Sequence, residues 1–132
     1  DTCVHEDDRK AYDGTRIMIA RFLWSSYPDR NFVHRAGLQV PDDVEALIAE
    51  RDYSLVPRAA ELIPDEFVRA FCWAGSPDMV AKQVITIARE TGIREFGFWA
   101  LLAPGQSREE SVRLIANEVL PRIRAAGLEA SA

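Results

Sequence analysis

The residues able to do chemistry in this chain are few, and most come in pairs. Asp7-Asp8 and Asp42-Asp43 are adjacent acids, the type needed for general acid–base work or for a hard cation. Each pair sits where a helix begins, so complementing the positive end of the helix dipole accounts for it. His5 and His34 stand apart from each other and from any second ligand pair. Cys3 and Cys72 form no CxxC or Cys/His cluster, which leaves incidental or buried thiols and no metal centre. Ala74-Gly75-Ser76 ahead of a helix could hold an anion on backbone N–H groups, with a plain helix cap as the simpler reading. Arg30 and Arg35 are candidate anion ligands whose default role is solvated. Trp24, Trp73 and Trp99 each fall at the end of an element or just before a loop. An indole there lines a pocket mouth or packs in the core. The chain has no GxGxxG, no phosphate-loop glycine motif and no GxSxG elbow.

Composition narrows the classes further. A length of 132 residues suits one domain, and 48% hydrophobic with 28% charged residues supports a core and argues against disorder. A net charge of -5, with both signs interspersed and no basic run, excludes nucleic acid as an electrostatic partner. No apolar run approaches the roughly 20 residues of a membrane span. No signal peptide is visible, and a cytoplasmic location is expected. The chain opens on Asp1 rather than Met, with a strand-like Thr2-Cys3-Val4-His5, and reads as truncated.

Those residues must be positioned by elements, and the last third is the clearest. Ser76-Pro77-Asp78 is a strong helix start: Ser as N-cap, Pro at the first helical position, an acid at the second. Val80, Val84, Ile87 and Ala88 line one face, and Gly92 closes the helix in the left-handed conformation. A strand over 93–102 follows, with Phe96, Phe98 and Ala100 on one face and Gly97, Trp99 and Leu101 on the other. Two apolar faces place it inside a parallel sheet. Ser107-Arg108-Glu109-Glu110 is a capping box. Val112, Ile115, Ala116, Val119, Leu120 and Ile123 then form an apolar stripe, and Pro121 kinks that helix or marks its last turns. Residues 127–132 read as a frayed tail.

The first half is helical in pattern. A helix over about 8–24 buries Ala11, Met18 or Ile19, Phe22 and Leu23, and Gly14 weakens its middle. Shorter helices are expected over 31–36, 41–51, 57–62 and 64–72, with Pro57 and Pro64 in first turns. The fold class is α/β, mostly helical. Residues 1–132 make a single domain with a helical region over 1–73 and a final αβα unit over 74–127.

Four blocks carry a resemblance: Ala74-Gly75-Ser76-Pro77-Asp78-Met79-Val80-Ala81, Gly92-Ile93-Arg94-Glu95-Phe96, Glu109-Glu110-Ser111-Val112-Arg113 and Glu118-Val119-Leu120-Pro121-Arg122. In this order they resemble the carboxy-terminal end of the bacterial-luciferase-like oxidoreductases. The stretch from Trp24-Ser25-Ser26-Tyr27-Pro28 to Glu66 looks most like the methylenetetrahydromethanopterin-reductase branch of that family. The resemblance implies a (β/α)8 TIM barrel that uses flavin mononucleotide (FMN) or a deazaflavin coenzyme for hydride transfer or monooxygenation. It implies that 93–102 is the eighth strand, 77–91 the seventh helix and 107–126 the eighth, with residues 2–5 at the end of the seventh strand. The segment between is then an insertion over the active-site side.

A whole barrel needs about 250 residues. The expectation is therefore a carboxy-terminal portion of a flavin- or deazaflavin-dependent oxidoreductase, inactive alone, whose partner is the remainder of the barrel or a second copy. No catalytic residue carries over. Trp99, Leu102 and Gln106 are the residues that the match places near the strand's carboxyl end, as pocket lining or cofactor contacts. The alternative is a self-contained helical interaction module, four to six helices around a two-stranded sheet, without catalysis.

Overall fold

The computed structural model describes residues 1–128. It is an α/β chain, mostly helical, in two compact units: Asp1–Thr15 with the chain from Cys72 onward, and Arg16–Phe71. The frayed tail expected over 127–132 falls largely outside the described residues.

In the first unit, β1 (Thr2–Val4) and β2 (Trp73–Gly75) pair in parallel, with Thr2 opposite Trp73 and Val4 opposite Gly75. From the sequence alone, β2 reads as the approach to a helix. In Trp73-Ala74-Gly75 only the Trp favours a strand, three residues are too few to show alternation, and pairing with β1 decides it.

Helix α1 (Asp8–Ser25) leaves β1 and crosses from the first unit into the second. Asp7 caps its start by accepting the Arg9 N–H at 2.9 Å. Ile19 and Leu23 are buried as expected, but Phe22 is exposed. Gly14 has a role that helix propensity does not reveal. A Cβ there would lie 2.6 Å from the Leu102 carbonyl oxygen and 2.7 Å from Cys3 Sγ. Only a residue without a side chain lets α1 approach the chain this closely.

Helix α6 (Pro77–Thr91) forms as its signals require. Ser76 Oγ accepts the Met79 N–H, and Gly92 at φ 72° closes the helix, its N–H donating to the Ala88 carbonyl at 2.9 Å. The final helical run is α7 (Arg108–Leu114), a π turn over Ile115–Val119, and α8 (Leu120–Ala125). In the π turn the Leu120 N–H donates to the Ile115 carbonyl. Pro121 has no N–H for an α bond, and its ring crowds the carbonyl four residues back. The wider turn upstream absorbs both problems, so the expected kink is a one-residue expansion. That expansion also corrects the apolar stripe. Ile115, Val119, Leu120 and Ile123 are buried with Val4, Val80 and Val84, while Val112 is exposed and Ser111 buried in its place. Ser111 Oγ donates to the Leu101 carbonyl at 3.3 Å.

The strand expected over 93–102 is the main correction. Only Ala100 bridges, in parallel, to Thr2. Thr2 N–H donates to the Trp99 carbonyl at 2.9 Å and Leu101 N–H to the Thr2 carbonyl at 2.7 Å. Among the described residues, the backbone of 94–98 has no backbone partner. β1 is three residues long, so its edge cannot serve a ten-residue strand. Phe96, Phe98 and Ala100 pack on the helical core as the pattern implied, but Trp99 on the opposite face is 69% exposed. The parallel order is thus β2, β1, then Ala100.

The second unit is helical: the remainder of α1, α2 (Asn31–Arg35), α3 (Asp42–Ala49), α4 (Val56–Glu61) and α5 (Asp65–Phe71). Val33, Val44, Ile48, Ile63 and Phe67 are buried in it. Phe71 stacks on Phe32 and Phe67, with ring centroids 5.5 and 6.0 Å away. Polar ties hold the loops: Arg16 bonds the Ile63 carbonyl and the Asp65 carboxylate.

Candidate functional site

Parallel α/β sheets take ligands beyond the carboxyl ends of their strands. In the first unit that end is formed by His5 to Asp8 after β1, Gly75-Ser76 after β2, and residues 102–106 after the Ala100 bridge.

His5 is fixed through both its backbone and its ring. Its N–H donates to the Gly75 carbonyl at 3.1 Å, and its Nδ1 accepts the Asp7 N–H at 2.9 Å. An Nδ1 that accepts carries no proton, so the neutral ring bears its hydrogen on Nε2. Asp8 Oδ1 accepts the Ser76 N–H at 2.7 Å. Gly75 sits beneath at φ 134°, where a Cβ would meet Met79 Sδ at 2.5 Å and Asp8 Oδ1 at 3.2 Å. The chain's own carboxylate therefore occupies the helix N-terminus that the sequence offered to an anion. The plain-cap reading of Ala74-Gly75-Ser76 prevails.

Gln106 is nearly buried, and its amide works in two directions. Oε1 accepts the Ala103 N–H at 3.1 Å, and Nε2 donates to the Val4 carbonyl at 2.7 Å. It ties the 102–106 loop to the end of β1. Trp99 and Leu102 stand at the surface, 69% and 38% exposed. Gln106, turned inward, lies at the carboxyl end of β1, and Leu102 precedes its loop, whereas the Ala100–Thr2 register sets Trp99 level with the amino end of β1. In the sequence His5 reads as isolated and Asp8 as a dipole complement to its own helix. Their shared engagement with Gly75-Ser76 is legible only in their position directly after a strand ending in Val4.

The remaining candidates are engaged elsewhere. Arg30 is no anion ligand: its Nε and one terminal nitrogen grip both Glu45 carboxylate oxygens at 3.0 Å, and its other nitrogen donates to the Leu23 carbonyl at 2.9 Å. Trp24 stacks under the Arg51 guanidinium, 4.1 Å from the ring centre, and edge-on to Tyr53. Trp73 stacks on Phe96 and Phe98. Both thiols are buried. Burial, and then the neighbouring Cys72, pushes the Cys3 thiol up to about 12. Burial also raises that of Cys72. Neither is a nucleophile near neutral pH. Among the described residues, no three His, Cys, Asp or Glu side chains gather for a metal, and no helix is long and apolar enough to cross a membrane. A cavity of about 350 Å³ lined by Ala88, Gly92, Ile93, Arg94, Gly127 and Leu128 lies at the opposite, amino end of the 93–102 segment.

The fold and site define an α/β protein with a short parallel sheet whose carboxyl end is closed by its own side chains. Over 127 residues, 93% of its length, the chain is 24% identical to the 5,10-methylenetetrahydromethanopterin reductase of Methanopyrus kandleri strain AV19. It spans about a third of that protein's length, 34%. No family model matches the chain, and no solved structure matches it.

Proposed function

We propose that this chain is a portion of a flavin- or deazaflavin-dependent oxidoreductase of the luciferase-like type, in which it supplies the last strands and helices of a (β/α)8 barrel. The observation that carries this reading is the similarity to a reductase along 93% of the chain. Parallel β1 and β2, each followed by a helix, support it. In this reading Leu102 adds apolar wall at the barrel mouth, and Gln106 holds the loop that follows it. The cofactor, FMN or a deazaflavin, supplies hydride transfer in such enzymes. The described residues do not form a cradle for its phosphate. The α6 N-terminus is filled by Asp8, and Arg30 is held by Glu45. The cofactor is therefore held by residues of the parent protein outside this chain.

The remainder of the barrel, or a second copy, is the proposed partner. One observation favours the alternative of a self-contained helical interaction module: the order β2–β1–Ala100 is not the side-by-side order of successive barrel strands. Titrating the full-length polypeptide and the isolated 132-residue chain with FMN and with a deazaflavin separates the two. Binding by the full-length protein but not by the isolated chain is expected. A full-length protein that binds neither cofactor overturns the enzyme reading.

A further inference from the structure

The outer edge of β2 is closed by a side chain. Trp73 N–H donates to the Asp1 carbonyl and Gly75 accepts from His5 N–H, so these two residues face β1. Alternation along a parallel strand then turns the Ala74 N–H and C=O the other way. On that side the Gln83 side chain from α6 meets both. Oε1 accepts the Ala74 N–H at 3.2 Å, and Nε2 donates to the Ala74 carbonyl at 3.1 Å. A primary amide offers the donor–acceptor pair of a peptide group, so Gln83 stands in for one residue of a neighbouring strand.

We propose that this edge is a strand-docking edge whose occupant is the 93–99 segment of the same chain, and that Gln83 is the group that holds it out. The setting rests on the barrel reading above. β2, α6 and the 93–102 segment form a strand–helix–strand sequence, and such crossovers return beside the strand they left in most parallel folds and in every barrel. Here the segment instead passes to the far edge of β1, where Thr2 makes two bonds with Trp99 and Leu101. Residues 94–98 lack backbone partners among the described residues, while Phe96 and Phe98 already stack on Trp73 of β2. An unpaired segment and an edge capped by one side chain are the two halves of a ladder. Moving the segment to β2 gives the order β1, β2, 93–102 and frees the far edge of β1 for a preceding strand.

Amide hydrogen exchange by NMR on the 132-residue chain tests this in the wild type, Gln83→Met and Gln83→Asn. Met keeps the volume without the hydrogen bonds; Asn keeps the amide but falls one methylene short. In both variants, exchange at two or more amides within 94–98 is expected to slow by about tenfold, while Thr2 and Leu101 lose protection and Ala74 keeps it. Faster exchange at Ala74 with 94–98 unchanged makes Gln83 a simple edge cover and overturns the proposal. So does failure of both variants to fold, because Gln83 is then required for the unit and is no gate. No cofactor enters this readout, so a parent protein that fails to bind flavin leaves the exchange result as it stands.

Discussion

Gly14 shows how a single residue carries a packing constraint. Replacing it with Ala favours the helix by about 1 kcal/mol on propensity. A methyl aimed at the Leu102 carbonyl oxygen 2.6 Å away opposes that, and a backbone carbonyl cannot rotate aside as a side chain can. Overpacking of this kind costs about 1–3 kcal/mol, so Gly14→Ala should lower the urea midpoint. An unchanged or higher midpoint would show that α1 has room to retreat. Cys3 gives a pH dependence with a definite sign. Its thiol ionises at 9.0 when unfolded and is pushed up to about 12 by burial in the fold. Below pH 9 both states hold the proton and Cys3 contributes no slope. Between pH 9 and 12 only the unfolded state releases it, so stability falls as pH rises. Cys3→Ala should flatten that alkaline loss in urea melts taken from about pH 8 to 11. Asp8 is the third case. Asp8→Ala uncovers the Ser76 N–H at the start of α6, and phosphate should then raise the melting temperature of the variant but not of the wild type. Equal phosphate effects on both proteins would mean that Asp8 does not guard that position.

Among the elements, the final helical run separates pattern from geometry. Val112 and Ile123 belong to the same apolar stripe in the sequence, yet Val112 is exposed and Ile123 fully buried. The π turn over Ile115–Val119 adds one residue to the turn and re-aims everything after it. Ile123→Ala should therefore cost about 2–5 kcal/mol, as buried large-to-small changes do. Val112→Ala should stay within about 0.5 kcal/mol, as exposed substitutions do. Comparable losses for the pair would mean that the helix runs in regular α register. The helix starts, by contrast, are legible in the sequence. Ser76, Pro77 and Gly92 act through bonds made within four residues, so sequence order alone sets them. β2 is not legible, because three residues between two helices acquire strand geometry only from β1, some 70 positions away in the chain.

For the whole molecule, the most exposed of the large apolar side chains, Trp99, lies where the sheet is incomplete. Trp99 at 69%, Ile93 at 49% and Leu102 at 38% exposure flank the unpaired 94–98 backbone. Unpaired extended edges and clustered apolar surface promote association. The isolated chain should elute larger than a monomer in size-exclusion chromatography at micromolar concentration, and Trp99→Glu should shift it toward monomer. A wild-type monomer would remove self-association as the way this edge is covered. Ile115 is buried within the chain, and Phe96 and Phe98 are half-covered by Trp73, so the backbone edge and Trp99 remain for a partner.

By itself the sequence determined most of the helices, their caps, the mostly helical α/β class and the similarity that motivates the oxidoreductase reading. These depend on side-chain period and on bonds between near neighbours in the chain. Tertiary structure alone decided that the Ser76 N–H belongs to Asp8, that Gln106 faces inward, that Gln83 closes β2 and that 93–102 is strand only at Ala100. Each of these depends on which distant backbone groups remain without a partner, and a strand's identity follows from its neighbours as much as from its own residues.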